Sequence, residues 1–169
     1  VQSLPSSVRG DAVDWQIDEG ATLSLTDNLV VKNSIMKIEG KIVGVRNLVV
    51  GEGAELHLET TAFTETRVAR TGKENAPIAE KNKFFFDNVL VVSTGKMYLH
   101  DWSTLDATNI TVGGGNDEKQ TAYLFVEGRC NVTANDVHVQ AQGHVDGIGL
   151  GHPAKVGPGT STECHTTGS

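Results

Sequence analysis

At 169 residues, with 38% hydrophobic but only 5% aromatic residues and 19 glycines, the chain has the size of one domain, or of a piece of a larger one. That composition suits a slim core crossed by many tight turns. The formal net charge of −7, from 14 Lys+Arg against 21 Asp+Glu, excludes the basic face that nucleic-acid phosphates require. The loose pair Lys81 and Lys83 reads as a solvated face. No stretch reaches the roughly 18–20 apolar residues of a membrane span, so neither nucleic acid nor a membrane span is expected.

In chain order, residues 1–18 read as an N-terminal segment that caps the first coil, with Trp15 as its apolar contribution. The first residues contain no Met, and the last, Thr166-Thr167-Gly168-Ser169, lie in a Gly/Thr/Ser/Pro-rich stretch, so the chain is expected to be part of a longer polypeptide. From residue 19 to 145 the sequence repeats itself. Glu19-Gly20-Ala21-Thr22-Leu23-Ser24-Leu25 returns as Glu52-Gly53-Ala54-Glu55-Leu56-His57-Leu58, with weaker copies at Thr94-Gly95 and Glu127-Gly128. The turn glycines are thus Gly20, Gly53, Gly95 and Gly128. The first and last intervals between them are equal and the middle one is longer, a spacing that points to stacked coils. Short alternating apolar runs fill the intervals, among them Leu23–Leu25, Leu29–Val31, Ile35–Ile38, Leu48–Val50, Leu56–Leu58, Val89–Val92, Ile110–Val112, Tyr123–Val126 and Val137–Val139. Each is bounded by Gly, Asn, Asp or Thr and reads as a strand. The longer interval contains a polar insertion, residues 60–83, expected to leave as a loop on one face. Residues 146–169 read as a Gly-rich tail.

Asn and Asp recur at strand entrances, in Asp27-Asn28, Arg46-Asn47, Asp87-Asn88, Thr108-Asn109 and Asn135-Asp136. They tolerate left-handed backbone angles, and asparagines stacked in successive coils can hydrogen-bond as a ladder. The fold class is therefore all-β: a right-handed parallel β-helix of three to five coils, a solenoid with one polar loop insertion. The alternative is a β-sandwich, whose sequences also show short strands at regular spacing.

Gly40-Lys41-Ile42-Val43-Gly44-Val45-Arg46-Asn47-Leu48-Val49-Val50, followed by Glu52-Gly53-Ala54-Glu55-Leu56, has the form G-x-I-x-G-x-x-N-L-x-V-x-x-G-A-x-L. With the later run Ala141-Gln142-Gly143-His144-Val145-Asp146-Gly147-Ile148-Gly149-Leu150-Gly151 and Gly157-Pro158-Gly159, this resembles the glycine-rich β-helix modules of large eukaryotic secreted and cell-surface proteins. The resemblance covers most of the chain and rests on low-complexity motifs. It implies an extracellular β-helix and no particular activity. The Gly-His-Gly-Gly run common in such modules is missing here.

Two cysteines, Cys130 and Cys164, and two sequons, at Asn109 and Asn131, tilt the reading towards secretion. A Cys130–Cys164 disulfide would tie the tail to the last repeat; two reduced thiols is the other reading. Arg9-Gly10-Asp11 is an adhesion-type tripeptide, whose carboxylate could complete a receptor-held metal site; an ordinary polar turn is the plainer reading of so short a motif. His144, Asp146 and His152 are potential zinc or copper ligands in a Gly-rich loop, at a spacing that matches no ligand signature. His57, His100 and His138 occupy comparable positions and are expected to form a solvent-facing stack. Carbohydrate-active enzymes on this fold need paired carboxylates, for which Asp101, Asp106 and Glu59 are the candidates; surface charge is the plainer reading. Gly113-Gly114-Gly115 precedes Asn116-Asp117-Glu118, whose carboxylates would repel phosphate. No cofactor is expected. The expected function is a non-catalytic extracellular or cell-surface module for adhesion, matrix or surface architecture, with a glycan or an extracellular protein as partner. The alternative is a polysaccharide lyase or glycoside hydrolase.

Overall fold

Alternation of apolar and polar residues puts one side of a strand into the core and the other into water. The computed structural model, which describes residues 13–65, 82–114 and 120–148, turns almost every such run into a strand. They are β1 (Val13–Ile17), β2 (Thr22–Lys32), β3 (Ser34–Ile38), β4 (Lys41–Gly51), β5 (Glu55–Leu58), β6 (Phe63–Glu65), β7 (Lys83–Val91), β8 (Lys96–Leu99), β9 (Thr104–Val112), β10 (Ala122–Glu127), β11 (Asn131–Val139) and β12 (Gly143–Ile148). No helix occurs among the described residues. None is therefore long and apolar enough to cross a membrane.

The strands form two sheets, ordered β1-β3-β5-β8-β10-β12 and β11-β9-β7-β4-β2, with β6 also pairing β4. Every ladder between the described strands is parallel. The antiparallel sheets of a β-sandwich are thus not what these strands build. Parallel neighbours require the chain to leave one sheet and return to it, and here it crosses to the other sheet in between.

Register gives the advance per return. Thr22 lies beside Lys41, Ile35 beside Glu55 and Lys83 beside Thr104. These returns take roughly 20 residues, whereas those from Glu55 to Lys96 and from Asn47 to Asn88, which enclose residues 66–81, are about twice as long. The interval from Gly20 to Gly53 is not the structural period. Gly20 turns the chain into β2 of one sheet, whereas Gly53 turns it into β5 of the other. Similar heptads serve both sheets, so the match between them spans one return and part of a second.

The segment expected to be a loop, residues 60–83, begins with a strand. β6 adds Phe63–Glu65 beside the first residues of β4, Lys41–Val43, while the second half of β4 pairs with β7 through Asn47–Val50. Ala62 and Thr64 are buried, and the Thr64 hydroxyl accepts the Phe85 amide at 2.6 Å. The polar composition of the segment hides three residues of ordinary alternation. The part from 66 to 81 lies outside the described residues. Two more expected boundaries move: β1 falls within residues 1–18, and β12 runs past residue 145. β1 pairs with β3 and sets Trp15 against the core.

Inward-facing residues of both sheets form one continuous cluster, with Ile38, Leu56, Leu58, Met97, Leu99 and Leu124 from one sheet and Leu48, Val50, Phe84, Leu105, Ile110 and Val112 from the other. Backbones approach closely at the corners. A Cβ at Gly40 would stand 2.5 Å from the Ala21 carbonyl oxygen and 2.6 Å from that of Asp18, which explains the absence of a side chain there.

The asparagine ladder forms. Register aligns Asn28, Asn47, Asn88 and Asn109. Asn47 Nδ2 donates to Asn28 Oδ1 at 3.0 Å, Asn88 Nδ2 to Asn47 Oδ1 at 2.7 Å, and Asn109 Nδ2 to Asn88 Oδ1 at 2.8 Å. These residues lie within β2, β4, β7 and β9 rather than at their entrances. The next ladder position is Asp136 rather than Asn135. Of the Asn and Asp residues singled out, Asp27 takes a left-handed angle, and so do Asn33 and Asn82 elsewhere. The ladder asparagines are held by their side chains.

Asn47 both donates and accepts, whereas Asn28 accepts only. Asn47→Ala is therefore expected to lower stability by about 1–2 kcal/mol and Asn28→Ala by roughly half that, since each such hydrogen bond contributes about 0.5–1.5 kcal/mol. Denaturant titration of the two variants checks the order. Leu56→Ala, which empties a fully buried site, is expected to cost about 2–5 kcal/mol.

Candidate functional site

The outward face of β5, β8 and β10 concentrates the side chains capable of chemistry. In β5 the two leucines point inward, leaving Glu55 and His57 outside; in β8, Lys96 and Tyr98 face out; in β10, Tyr123 and Phe125 do. Register lines them up in two files. One runs Lys37, His57, Tyr98, Phe125, Asp146; the other Ile35, Glu55, Lys96, Tyr123, His144.

The rings of the first file lie face to face. His57 and Tyr98 have centroids 4.3 Å apart and planes within 2°, and Tyr98 and Phe125 follow at 4.7 Å and 20°. Tyr123 stacks on Phe125 at 5.2 Å and on His144 at 5.0 Å. Burial in this stack pushes the Tyr98 hydroxyl above its usual range. Beside it, Lys96 Nζ bonds Glu55 Oε1 at 2.7 Å, and that hydrogen bond raises the Lys96 ammonium.

At one edge of the files a polar cluster closes. His57 Nδ1 and His100 Nε2 face each other at 3.2 Å. Glu59, two positions beyond His57, brings Oε1 to 3.7 Å from His100 Nε2. One donor atom from each of His57, Glu59 and His100 lies within 4.8 Å of the other two. On the far side of the His100 ring, Nδ1 lies 2.7 Å from Glu127 Oε2. The far nitrogen of His57, Nε2, faces Glu55 Oε2 at 3.8 Å, and Lys37 Nζ reaches Glu59 Oε1 at 3.3 Å. Apart from the exposed Lys37, all are half-buried. Burial first, and the neighbouring His100 second, hold the His57 imidazole below its usual value, against the pull of Glu55 and Glu59.

The other sequence-derived candidates are dispersed. Asp101 sits in the turn after β8, where Oδ1 accepts the Arg129 amide at 2.7 Å. Asp106 lies on β9 of the other sheet, away from the strand that precedes Glu59. His138 lies on β11 of that second sheet, so the expected stack of three histidines contains only His57 and His100. His144 and Asp146 share the outward side of β12 and are exposed; His152 lies outside the described residues, as do Arg9, Gly10, Asp11 and Cys164. Cys130 makes no disulfide among the described residues. Its Sγ contacts the carbonyl oxygens of Glu127 at 2.8 Å and His100 at 3.1 Å, and burial pushes its thiol up. Asn109 is committed to the ladder, while Asn131 is exposed at the start of β11.

The convergence of His57, Glu59 and His100 on one point is not legible in the sequence. His57-Leu58-Glu59 does carry a signal, because residues two apart on a strand share a face. Placing His100 beside them needs the pairing of Glu55 with Lys96, which joins the copies of the repeat at Gly53 and Gly95. Comparison with known protein families, with curated proteins and with solved structures finds no match.

A depressed imidazole means that the folded chain resists a proton which the unfolded chain takes up, so its contribution is present above about pH 6.5 and is lost as pH falls through the lower folded value. In metal-free buffer, stability is expected to decline just below pH 6.5 in the native chain and to decline less in His57→Gln. Thermal unfolding across that range checks it; equal slopes would remove His57 as the cause.

Proposed function

We propose that the chain is a right-handed parallel β-helix and that it serves as a non-catalytic extracellular module of adhesion, matrix or surface architecture, with a glycan or an extracellular protein as its partner. Alternation of strands between two parallel sheets, broken only at β6 and β7 among the described strands, supports the helix, and the right hand is what the chirality of parallel crossovers favours. The observation that carries the architectural reading is that outward side chains are spent on one another. The asparagines bond along their ladder, and the rings of His57, Tyr98 and Phe125 cover each other's faces, leaving their edges to a partner. A surface of this kind favours a long, rigid body with shallow contacts. The resemblance to secreted glycine-rich modules and the two sequons support an extracellular setting.

A second reading, a carbohydrate-active enzyme, draws on one feature. Glu59 and Glu127 contact opposite nitrogens of His100, so two carboxylates flank one titratable ring. The trio Asp101, Asp106 and Glu59 offers no such grouping.

Both readings are tested by a panel of polysaccharides and matrix proteins scored for retention and for cleavage. The expected outcome is retention without cleavage, weakened by Tyr123→Ala. Shortened saccharide products, lost in Glu127→Gln, would replace the architectural reading with the enzymatic one. In a secretory expression host, a glycan is expected on Asn131, and Asn131→Gln should remove the mass it adds.

A further inference from the structure

We propose that His57, Glu59 and His100 bind a divalent transition-metal ion of the zinc class, with Glu127 orienting His100 and Lys37 competing with the ion for Glu59. This inference does not depend on a glycan or protein partner.

Geometry comes first. Two nitrogen ligands at about 2.0–2.1 Å from a tetrahedral zinc stand roughly 3.3 Å apart. His57 Nδ1 and His100 Nε2 are already 3.2 Å apart. The Glu59 oxygen, 3.7 Å from His100 Nε2, is the third donor, and one ligand atom of each residue lies within 4.8 Å of the other two. Two imidazoles and one carboxylate make a donor set that open zinc sites use, with the remaining position left to solvent. Imidazole donors also select against calcium and magnesium, which take oxygen ligands.

The surroundings have the form that supports metal-bound histidines. Such rings turn their second nitrogen to a carboxylate or carbonyl, which fixes the tautomer. Here both second nitrogens face carboxylates: His100 Nδ1 meets Glu127 at 2.7 Å, and His57 Nε2 faces Glu55 at 3.8 Å. With Nδ1–H of His100 given to Glu127, its Nε2 is an acceptor, so in the metal-free chain His57 Nδ1–H donates across the 3.2 Å gap. An ion takes the place of that proton. His57 would then carry its hydrogen on Nε2, facing Glu55 at 3.8 Å, so the proton passes from one nitrogen of the ring to the other and none is released from it. Lys37 is the cation that holds Glu59 in the absence of the ion, at 3.3 Å.

Glu59 and His100 each stand one residue past the end of a strand, β5 and β8. His57 lies within β5, and its ring is braced against Tyr98. The His100 amide donates to the Leu58 carbonyl at 3.3 Å and the Glu59 amide to that of Ile38 at 3.0 Å, which ties both ligands to the sheet.

The test uses the full chain, stripped with chelator and titrated with Zn2+ by calorimetry and with Co2+ by visible absorption. One ion per chain is expected, with the absorption of cobalt in a nitrogen–oxygen site. His57→Gln and His100→Gln should each weaken binding by about 100-fold or more, and Glu127→Gln by about 10–100-fold, the usual effect of losing an outer carboxylate. Lys37→Gln should tighten binding several-fold, a gain that loss of folding cannot imitate. Circular dichroism establishes that each variant is folded. No binding by the folded native chain would overturn the proposal. So would native affinity in the His57→Gln/His100→Gln double variant, or abolition of binding by His144→Gln alone, which would place the ion elsewhere.

Discussion

Parallel pairing in register, interrupted at Asp27 between β2 and β4, is the constraint on which the rest of this structure depends. It places each side chain directly beside its counterpart one return earlier and one return later, on both faces of both sheets. Inside, the consequence is favourable without adjustment: Leu56 meets Met97, Leu58 meets Leu99, and Val89 meets Ile110. Apolar rows of this kind gain from burial whatever their order, at about 25 cal/mol for each Å² removed from water. Outside, the same constraint is hazardous, because identical charges one strand apart repel.

The outer face answers that hazard in two ways. Where the same residue recurs, it is one that gains from its own company: asparagine, both donor and acceptor, or a flat ring. Where charges recur, their signs alternate. Glu55 is followed by Lys96, and Arg46 by Asp87, whose guanidinium and carboxylate meet at 2.6 Å. Lys32 finds Glu52 at the same distance. These pairs are exposed enough that each contributes little on its own. Their effect is on register: each pair forms only when its two strands are aligned as they are here.

The same constraint decides how much of the structure is legible in the sequence. Strands are, because alternation is local: every apolar run singled out lies in a strand, to within one residue at Val92. The asparagine ladder is legible because Asn recurs just before a short apolar run in successive strands of one sheet. The period is not. Leucines after a Gly-Ala turn suit both sheets equally, so Glu19–Leu25 and Glu52–Leu58 look equivalent while lying on different sheets. β6 is hidden by the polar residues around it, and β12 by its glycines. The polar cluster is illegible for a different reason. Its members come from strands far apart in the chain, and only the pairing of Glu55 with Lys96 brings them together.

That pairing does not make His57 and His100 register neighbours; His57 faces Tyr98, and His100 is diagonal to it. The diagonal matters. Directly opposed side chains on neighbouring parallel strands run alongside each other, as the rings of His57 and Tyr98 do, and present faces rather than nitrogen atoms. A residue two positions further along stands beyond that contact, so its ring can turn a nitrogen back towards the first. Glu59 reaches the same point from just beyond the end of β5, and Glu127 fixes His100 from the opposite side. A flat sheet thus acquires a convergent cluster by breaking, at one place, the like-on-like rule that organises the rest of its surface. The Tyr98–Phe125 stack continues the regular pattern beside it, which confines the departure to the edge of the sheet where β5 and β8 end.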